Sequence, residues 1–184
     1  MTFLVYLYLA AFIIFDIVIL TMGLEQMICF FNKMAPEVPS SAKLRQAIVE
    51  QIKADIPDAK TILDIGSGWG TMLRAVAAAF PAAHVTGAEI MPSPYIYSSI
   101  RCGSAKNVEI VFGNVFKHVK KDNRKFDVGI AYLLTPMMKK VQQIRSHFKV
   151  LMVLDFPLPD IAPDKKIMLH QDRLGQHCLY VYKK

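Results

Sequence analysis

The chain contains 184 residues, of which 53% are hydrophobic and 20% are charged, and its formal net charge is +7. This composition excludes a disordered chain and a collagen-like repeat, and the length allows one domain of ordinary size. The excess of apolar residues is confined to residues 3–24, where 19 of 22 residues are apolar. The rest of the chain is roughly half apolar, as in an average globular domain. A protein that crosses a membrane many times is therefore excluded as well.

Residues 3–24 predict a helix that crosses a membrane once. A helix of this length extends about 33 Å, and the hydrocarbon core of a bilayer is about 30 Å thick. The segment differs from a secretory signal peptide, because no Lys or Arg precedes Lys33 and no small-residue cleavage motif follows. The positive charges that follow the span place the remainder of the chain in the cytoplasm or the mitochondrial matrix. Asp16, within the span, is either a tolerated polar residue or a contact to a partner helix.

The sequence predicts three consecutive parts: a membrane anchor over residues 1–25, a linker over 26–42 and a folded domain over 43–184. The linker contains the sequence APEVPSS at 35–41, which is rich in Pro and Ser. A helix is predicted after it, because apolar residues recur at every fourth position from Leu44 to Ile52.

Beyond residue 57, short apolar runs alternate with helical patterns. This alternation predicts an α/β domain with a Rossmann-like, mostly parallel sheet and a C-terminal antiparallel hairpin that turns near residues 172–175. The predicted strands cover residues 61–65, 84–90, 107–112, 126–133, 150–154, 166–170 and 177–182. The predicted helices between them cover residues 71–80, 92–103 and 136–148.

The strongest chemical signal is the sequence D-I-G-S-G-W-G, which starts at Asp64 at the end of the first strand. Glycine lets the backbone approach a ligand closely, and the first N–H groups of the following helix have no partner within the helix. The motif therefore predicts a cofactor-binding loop formed by Asp64, Gly66, Ser67, Gly68 and Gly70. The third glycine comes one position too early for the G-x-G-x-x-G fingerprint of dinucleotide-binding proteins.

The D-x-G-x-G-x-G form resembles motif I of class I S-adenosylmethionine-dependent methyltransferases. The resemblance implies that the loop lies beneath the methionine part of the cofactor and that Asp64 helps to orient it. Glu89 ends the second strand, where a carboxylate can accept hydrogen bonds from both ribose hydroxyls. A nicotinamide dinucleotide would use the same acid, so Glu89 indicates a nucleoside without naming the cofactor. Asn114 follows the third strand, where this family places a residue that contacts adenine, although Gly113-Asn114 is also an ordinary turn pair.

The resemblance also implies that the ends of the fourth and fifth strands flank the transferred methyl group. Tyr132 and Asp155 lie there and are the predicted catalytic residues; the structural alternatives are a core aromatic for Tyr132 and a loop anchor for Asp155. The Asn/Asp-Pro-Pro-aromatic motif of amino-methylating nucleic-acid enzymes is absent after the fourth strand. No nucleic-acid partner is therefore expected. No metal is expected either, because the three cysteines lack CxxC spacing.

A further resemblance extends over nearly the whole chain. After the apolar segment come PSS at 39–41, the motif I loop, GAEIMP at 87–92, LTPMM at 134–138 and FPLP at 156–159. This order looks like that of the small membrane-anchored protein-lysine methyltransferases, whose eukaryotic members modify the mitochondrial adenine nucleotide translocase and the c-subunit of ATP synthase. Trp69 and Met91 depart from that family's pattern, in which Asp and Asn are expected.

The resemblance implies S-adenosylmethionine as the cofactor and lysine in a membrane or membrane-associated protein as the methyl acceptor. Two alternatives stay open: a methyltransferase for a small molecule or lipid, such as a quinone or a phospholipid amine, and an inactive cofactor-binding scaffold. A basic cluster after the third strand has two interpretations, a solvated loop or a contact to anionic lipid headgroups worth about 1 kcal/mol per residue. This cluster consists of Lys117, Lys120, Lys121, Arg124 and Lys125.

Overall fold

The computed structural model describes residues 2–31, 39–121, 123–172 and 175–184. The chain divides into two compact units, Met1–Pro36 and Glu37–Lys184. Residues 32–38 of the predicted linker lie outside the described residues, as do residues 173–174 of the predicted hairpin turn.

The first unit contains one long helix, α1 (Thr2–Phe31). This helix runs past residue 25, the predicted end of the anchor, because residues 26–31 contain no Pro or Gly and remain largely apolar. Its segment Phe3–Phe31 has 29 residues and a mean hydropathy of 2.6. The most apolar stretch of this segment, 18 residues long, contains no buried residue. By length and composition, α1 can cross a membrane.

The second unit is built on one seven-stranded sheet with the order β3-β2-β1-β4-β5-β7-β6. The first five strands in the chain run parallel, and β7 is antiparallel to both β5 and β6. This architecture confirms the predicted fold. The strands are β1 (Thr61–Ile65), β2 (His84–Glu89), β3 (Val108–Phe112), β4 (Phe126–Ala131), β5 (Phe148–Leu154), β6 (Lys165–Asp172) and β7 (Gly175–Lys183).

Helices cover both faces of the sheet. β5 illustrates the two layers: Val150 and Met152 pack into the core that contains α2 and α3, whereas Leu151 and Val153 pack into the core that contains α5 and α6. This alternation is the two-residue period of a strand buried on both faces. The helices are α2 (Ala42–Asp55), α3 (Thr71–Ala79), α4 (Pro92–Cys102), α5 (Val115–Lys121) and α6 (Thr135–Gln143), with a 3-10 turn at Arg145–His147.

The sequence did not predict α5, since the favoured interpretation of its lysines was a solvated loop. The helix begins after Asn114, whose Oδ1 accepts hydrogen bonds from the backbone N–H groups of Phe116 (3.0 Å) and Lys117 (3.2 Å). Val115 and Val119 are buried on its inner side. A helix of two turns contains too few residues for its apolar period to be recognised.

The segment before α2 is fixed to the beginning of α3. Ser41 caps α2 by accepting a hydrogen bond from the Leu44 N–H at 3.2 Å. The hydroxyl of the neighbouring Ser40 lies 2.9 Å from that of Thr71, the first residue of α3. This contact joins the start of the folded unit to the end of the glycine-rich loop.

Candidate active site

The glycine-rich loop leaves the sheet where the strand order reverses, between β1 and β4. In open α/β sheets, ligands bind in the crevice outside the carboxyl ends of the strands at this point. The backbone N–H groups of Gly66 and Ser67 both donate to the carbonyl of Ala88 in β2, at 3.0 Å each. The loop is therefore held over the ends of β1 and β2.

The three glycines of the loop all adopt left-handed backbone conformations. Their φ angles are +77° at Gly66, +50° at Gly68 and +73° at Gly70, a region that residues with a Cβ atom rarely occupy. Gly70 is also the N-cap residue of α3, and no side chain caps the helix. The first N–H groups of α3 therefore lie at the end of the loop, where an anionic group of a ligand can accept their hydrogen bonds.

Glu89 joins the end of β2 to the glycine-rich loop. Its Oε2 accepts a hydrogen bond from the Gly68 N–H at 2.8 Å, and its Oε1 accepts bonds from the N–H groups of Ile90 (2.7 Å) and Met91 (2.8 Å). The residue is only 6% exposed. Each carboxylate oxygen has two lone pairs, so Oε2 retains one for a hydroxyl group. The sequence predicted an acid here, but not that it holds the loop.

Asp64 lies buried at the end of β1, close enough to Glu89 for their charges to interact. Burial, and after it the charge of Glu89, raise the pKa of Asp64 to about 7. Its Oδ2 is buried and has no hydrogen-bond partner among the described residues, and the same is true of the hydroxyls of Ser67 and Thr86. Buried polar atoms are normally satisfied, so the Asp64 carboxylate fits a ligand with a donor group or positive charge.

Asn114 lies beside a cavity of about 270 Å³ at the ends of β2 and β3. Ala88, Gly113, Asn114 and Val115 contribute to the cavity lining. Because the side-chain oxygen Oδ1 of Asn114 caps α5, the side-chain nitrogen Nδ2 is the group that remains for a ligand.

Tyr132 and Asp155 follow the neighbouring parallel strands β4 and β5, so they lie at the carboxyl ends of the strands, as the glycine-rich loop does. Tyr132 is half-buried and packs against the core that contains α2 and α3. Asp155 has a left-handed backbone with φ +64°, and both of its carboxylate oxygens are engaged. Its Oδ1 accepts a hydrogen bond from the Cys178 N–H at 3.1 Å, and its Oδ2 lies 2.8 Å from Nδ1 of His177.

Sequence reasoning missed His177, which stands near the start of β7 and is 8% exposed. An imidazole whose Nδ1 faces a carboxylate is held in one tautomer and orientation, the arrangement of a general base. The register of β7 against β5 brings the two residues together. The only signal in the sequence was a histidine in a predicted strand, because register cannot be read from periodicity alone.

The family of the chain follows from comparison with known proteins. A family model described as a methyltransferase domain matches residues 62–153, which is half of the chain and extends from β1 to β5. The chain belongs to this methyltransferase family. N-methyltransferase 4 of Papaver somniferum is 30% identical to it over 121 residues, which are 65% of this chain and 34% of that protein. This chain thus aligns with about a third of the length of that relative.

Two solved structures illustrate the similarity of the fold. An RNA methyltransferase from Salinibacter ruber in complex with S-adenosyl-L-homocysteine has a TM-score of 0.62 and 24% identity, and the match covers 79% of this chain and 93% of that chain. A Klebsiella pneumoniae protein described as an O-methyltransferase has a TM-score of 0.66 and 12% identity, with 81% and 83% covered. The methyltransferase family of the chain and the S-adenosyl-L-homocysteine complex of the Salinibacter ruber structure support the predicted cofactor, S-adenosylmethionine.

The residues around the glycine-rich loop fit this cofactor. S-adenosylmethionine carries positive charge on its sulfonium and ammonium groups and negative charge on its carboxylate. The unpartnered Asp64 Oδ2 suits a cationic donor, and the uncapped start of α3 suits a carboxylate. A methyl group at Gly68 would have no other atom within 4 Å of its carbon, so the loop leaves open space at this position.

We predict that Asp64→Asn stabilises the methyltransferase without cofactor at pH 8. In the unfolded chain Asp64 ionises near its ordinary pKa of 3.8, whereas in the fold it ionises near pH 7. The fold therefore binds more protons than the unfolded chain between these values, and wild-type stability falls relative to the neutral variant as pH rises from 4 to 7. Thermal unfolding should show a higher Tm for Asp64→Asn at pH 8 and no difference near pH 3.

The exposed Asp58 provides the control, because it precedes β1 and so lies at the amino-terminal ends of the strands, opposite the glycine-rich loop. Asp58→Asn should leave Tm unchanged at both pH values. A Tm for Asp64→Asn below that of wild type at pH 8 would show that the Asp64 carboxylate is already stabilised by protein groups.

Two neighbouring glycines should respond differently to substitution by alanine. In Gly70→Ala the new Cβ would lie 2.9 Å from Ser98 Cβ, so we expect a clear loss of stability and a lower Tm. In Gly68→Ala only the left-handed backbone costs energy, about 1–2 kcal/mol, but the methyl group enters the open centre of the loop. We expect a folded variant whose affinity for S-adenosylmethionine, measured by calorimetry, is reduced at least about tenfold. Normal affinity in Gly68→Ala would show that the cofactor lies elsewhere.

Proposed function

We propose that the chain is a membrane-anchored methyltransferase that transfers a methyl group to lysine in a membrane or membrane-associated protein. The observation that carries the proposal is one chain that combines a methyltransferase unit with α1, a helix apolar and long enough to span a bilayer. Lys33, Lys43 and Arg45 follow this helix and support a catalytic unit on the cytoplasmic or matrix side. A tether of this kind raises the effective concentration of the enzyme near membrane substrates.

Seven residues are proposed to hold the cofactor. Asp64 would accept a hydrogen bond from the ammonium group of the cofactor, and Glu89 would accept one from a ribose hydroxyl through the remaining lone pair of Oε2. Gly66, Ser67, Gly68 and Gly70 would form the loop beneath the methionine part, and Asn114 would contact adenine at the cavity beside β3. When bound, S-adenosylmethionine supplies an electrophilic methyl group, so correct positioning of the acceptor provides much of the rate enhancement.

The acceptor side of the site lies at the ends of β4 and β5. A lysine amine has an ordinary pKa of about 10.4, so it must lose a proton before it can attack. We assign this proton to His177, with Asp155 as the residue that orients the imidazole through the 2.8 Å contact. Tyr132 stays a predicted catalytic residue at the end of β4, where it would flank the transferred methyl group. Asp155 is thus a positioning residue, because both of its oxygens are engaged by β7.

A second candidate function is methylation of the amine of a small molecule or a phospholipid. It is favoured by the similarity to a protein named N-methyltransferase 4. Both candidates use a nitrogen acceptor, and they differ in the molecule that carries it.

One labelling experiment tests the proposal and separates the two candidates. Membranes that contain the full chain are supplied with S-adenosylmethionine labelled at its methyl group, and the protein and organic-extractable fractions are counted. We expect label in protein, on lysine side chains identified by mass spectrometry. The label should fall at least about tenfold in Asp64→Asn, which loses a charged contact to the cofactor. The label should persist in Asp58→Asn, whose side chain is exposed at the amino-terminal ends of the strands.

Label found only in the organic fraction would overturn the lysine proposal in favour of the second candidate. Cofactor binding without label in either fraction would indicate an inactive scaffold.

A further inference from the structure

The exposed apolar side chains of the folded unit are concentrated around one helix. Among the described residues from position 39 onwards, six large apolar residues are exposed, and five of them lie in α4 or beside it. The sixth is Met168 in β6. The most exposed of the five is Ile100, at 78%. The five residues are Ile90, Ile96, Tyr97, Ile100 and Phe112.

This concentration follows from the way α4 is oriented. Ile96, Tyr97 and Ile100 share one side of the helix, three and four residues apart, whereas Pro94, Ser98 and Cys102 are its buried residues. A helix on the surface of a soluble domain normally carries polar residues on its outer side. Contiguous exposed apolar surface of this kind marks a site of interaction with another protein or a membrane.

The apolar surface continues into the glycine-rich loop and to the end of β3. The Trp69 ring meets the Tyr97 ring edge-on, with centroids 5.3 Å apart. The Phe112 ring lies 5.0 Å from that of Tyr95. The Arg101 guanidinium is 5.9 Å from the Tyr97 ring centre, and its Nη1 donates to the Tyr97 hydroxyl at 3.3 Å. An aromatic–arginine group of this type is amphipathic, with an apolar body and polar tips.

Much of the positive charge of the chain lies beside α4, at the side of the sheet where β3 is the outermost strand. Residues 90–125 contain seven Lys and Arg but two acids, so they carry five of the seven net positive charges of the whole chain. They comprise α4, the edge strand β3 and α5, whose lysines Lys117, Lys120 and Lys121 are exposed. Lys120 Nζ bonds to the neutral amide of Gln143 at 3.1 Å, and this contact leaves its charge uncompensated.

We propose that this edge, formed by α4, β3 and α5 and called here the β3 edge, docks on the surface of an anionic lipid bilayer. The inference rests on the proposed function, in that α1 is taken to span that bilayer. The isoleucines enter the boundary between headgroups and acyl chains, Trp69 and Tyr97 lie at headgroup level, and Arg101 and the α5 lysines contact lipid phosphates.

A bilayer fits this surface better than a protein or a nucleic acid does. The apolar residues stand on the exposed side of α4, and seven of the nine charged residues of the 90–125 segment are positive. Nucleic acid would match the lysines but leave Ile96 and Ile100 in water. Docking also brings the glycine-rich loop to the membrane boundary, through the contact between Trp69 and Tyr97.

Trp69 is the one tryptophan of the chain and therefore an intrinsic probe of this surface. The full chain is incorporated into nanodiscs of phosphatidylcholine, with or without phosphatidylglycerol, whose acyl chains are brominated near the headgroup. We expect Trp69 fluorescence to be quenched in the anionic discs, and the quenching to decrease in the neutral discs and at high salt.

Variants of exposed residues give the matched comparison. The double variant Ile96→Asn, Ile100→Asn removes two apolar side chains from the β3 edge, and the ratio of docked to undocked molecules should fall roughly tenfold or more. Met168→Asn, which changes an exposed apolar residue in β6, should quench like wild type. Equal quenching in all three proteins, or none in anionic discs that contain the chain, would overturn the inference. Failure of the chain to enter the discs would instead contradict the proposed anchoring.

A photo-reactive residue separates a lipid from a protein partner. Benzoylphenylalanine placed at Ile100 is activated in membranes that contain the full chain, and the adducts are identified by mass spectrometry. Adducts to phospholipid support docking on the bilayer. Adducts to protein alone would overturn it and identify α4 as a protein-binding surface.

Discussion

The site depends on two carboxylates that the fold buries at the ends of neighbouring strands. Glu89 is stabilised there by three backbone N–H groups, one of them from Gly68, so its charge holds the glycine-rich loop in place. Asp64 lacks such support at Oδ2, and burial together with the charge of Glu89 raises its pKa to about 7. In the proposed function a cationic cofactor would supply the missing partner. The same pair of acids would therefore shape the loop and create the electrostatic demand that S-adenosylmethionine satisfies.

Much of the fold could be predicted, because the information is local. The apolar runs that form β1, β4 and β5 are buried on both faces, and the glycines of the loop are required by left-handed backbone angles. The parts that could not be predicted depend on contacts distant in sequence. The position of His177 follows from the register of β7 against β5, and α5 is too short for its period to be recognised. The outward orientation of Ile96 and Ile100 depends on which side of α4 the core accepts.

Together, the proposed anchor, lipid-docking surface and acceptor site define one route from membrane to methyl transfer. In this proposal a spanning helix would hold the enzyme at the bilayer, the β3 edge would orient the folded unit on the lipid surface, and the crevice at the ends of β1, β4 and β5 would receive the acceptor. The His177–Asp155 pair stands on the far side of that crevice from Trp69 and α4, since β7 and β3 lie on opposite sides of β1 in the sheet. A lysine near the membrane boundary would thus enter between the lipid-facing edge and the proton acceptor.

Proton release on cofactor binding tests the electrostatic basis of the site most directly. The full chain is titrated calorimetrically with S-adenosylmethionine at pH 7, in two buffers with different ionisation enthalpies. Because the pKa of Asp64 is about 7, about half of the molecules carry a proton there, which a cationic ligand expels. We expect binding enthalpies of the wild-type chain that differ between the two buffers at pH 7, and a much smaller difference between the buffers for Asp64→Asn at the same pH. Identical enthalpies for the wild-type chain at pH 7 would contradict a role for Asp64 as the partner of the cofactor's positive charge.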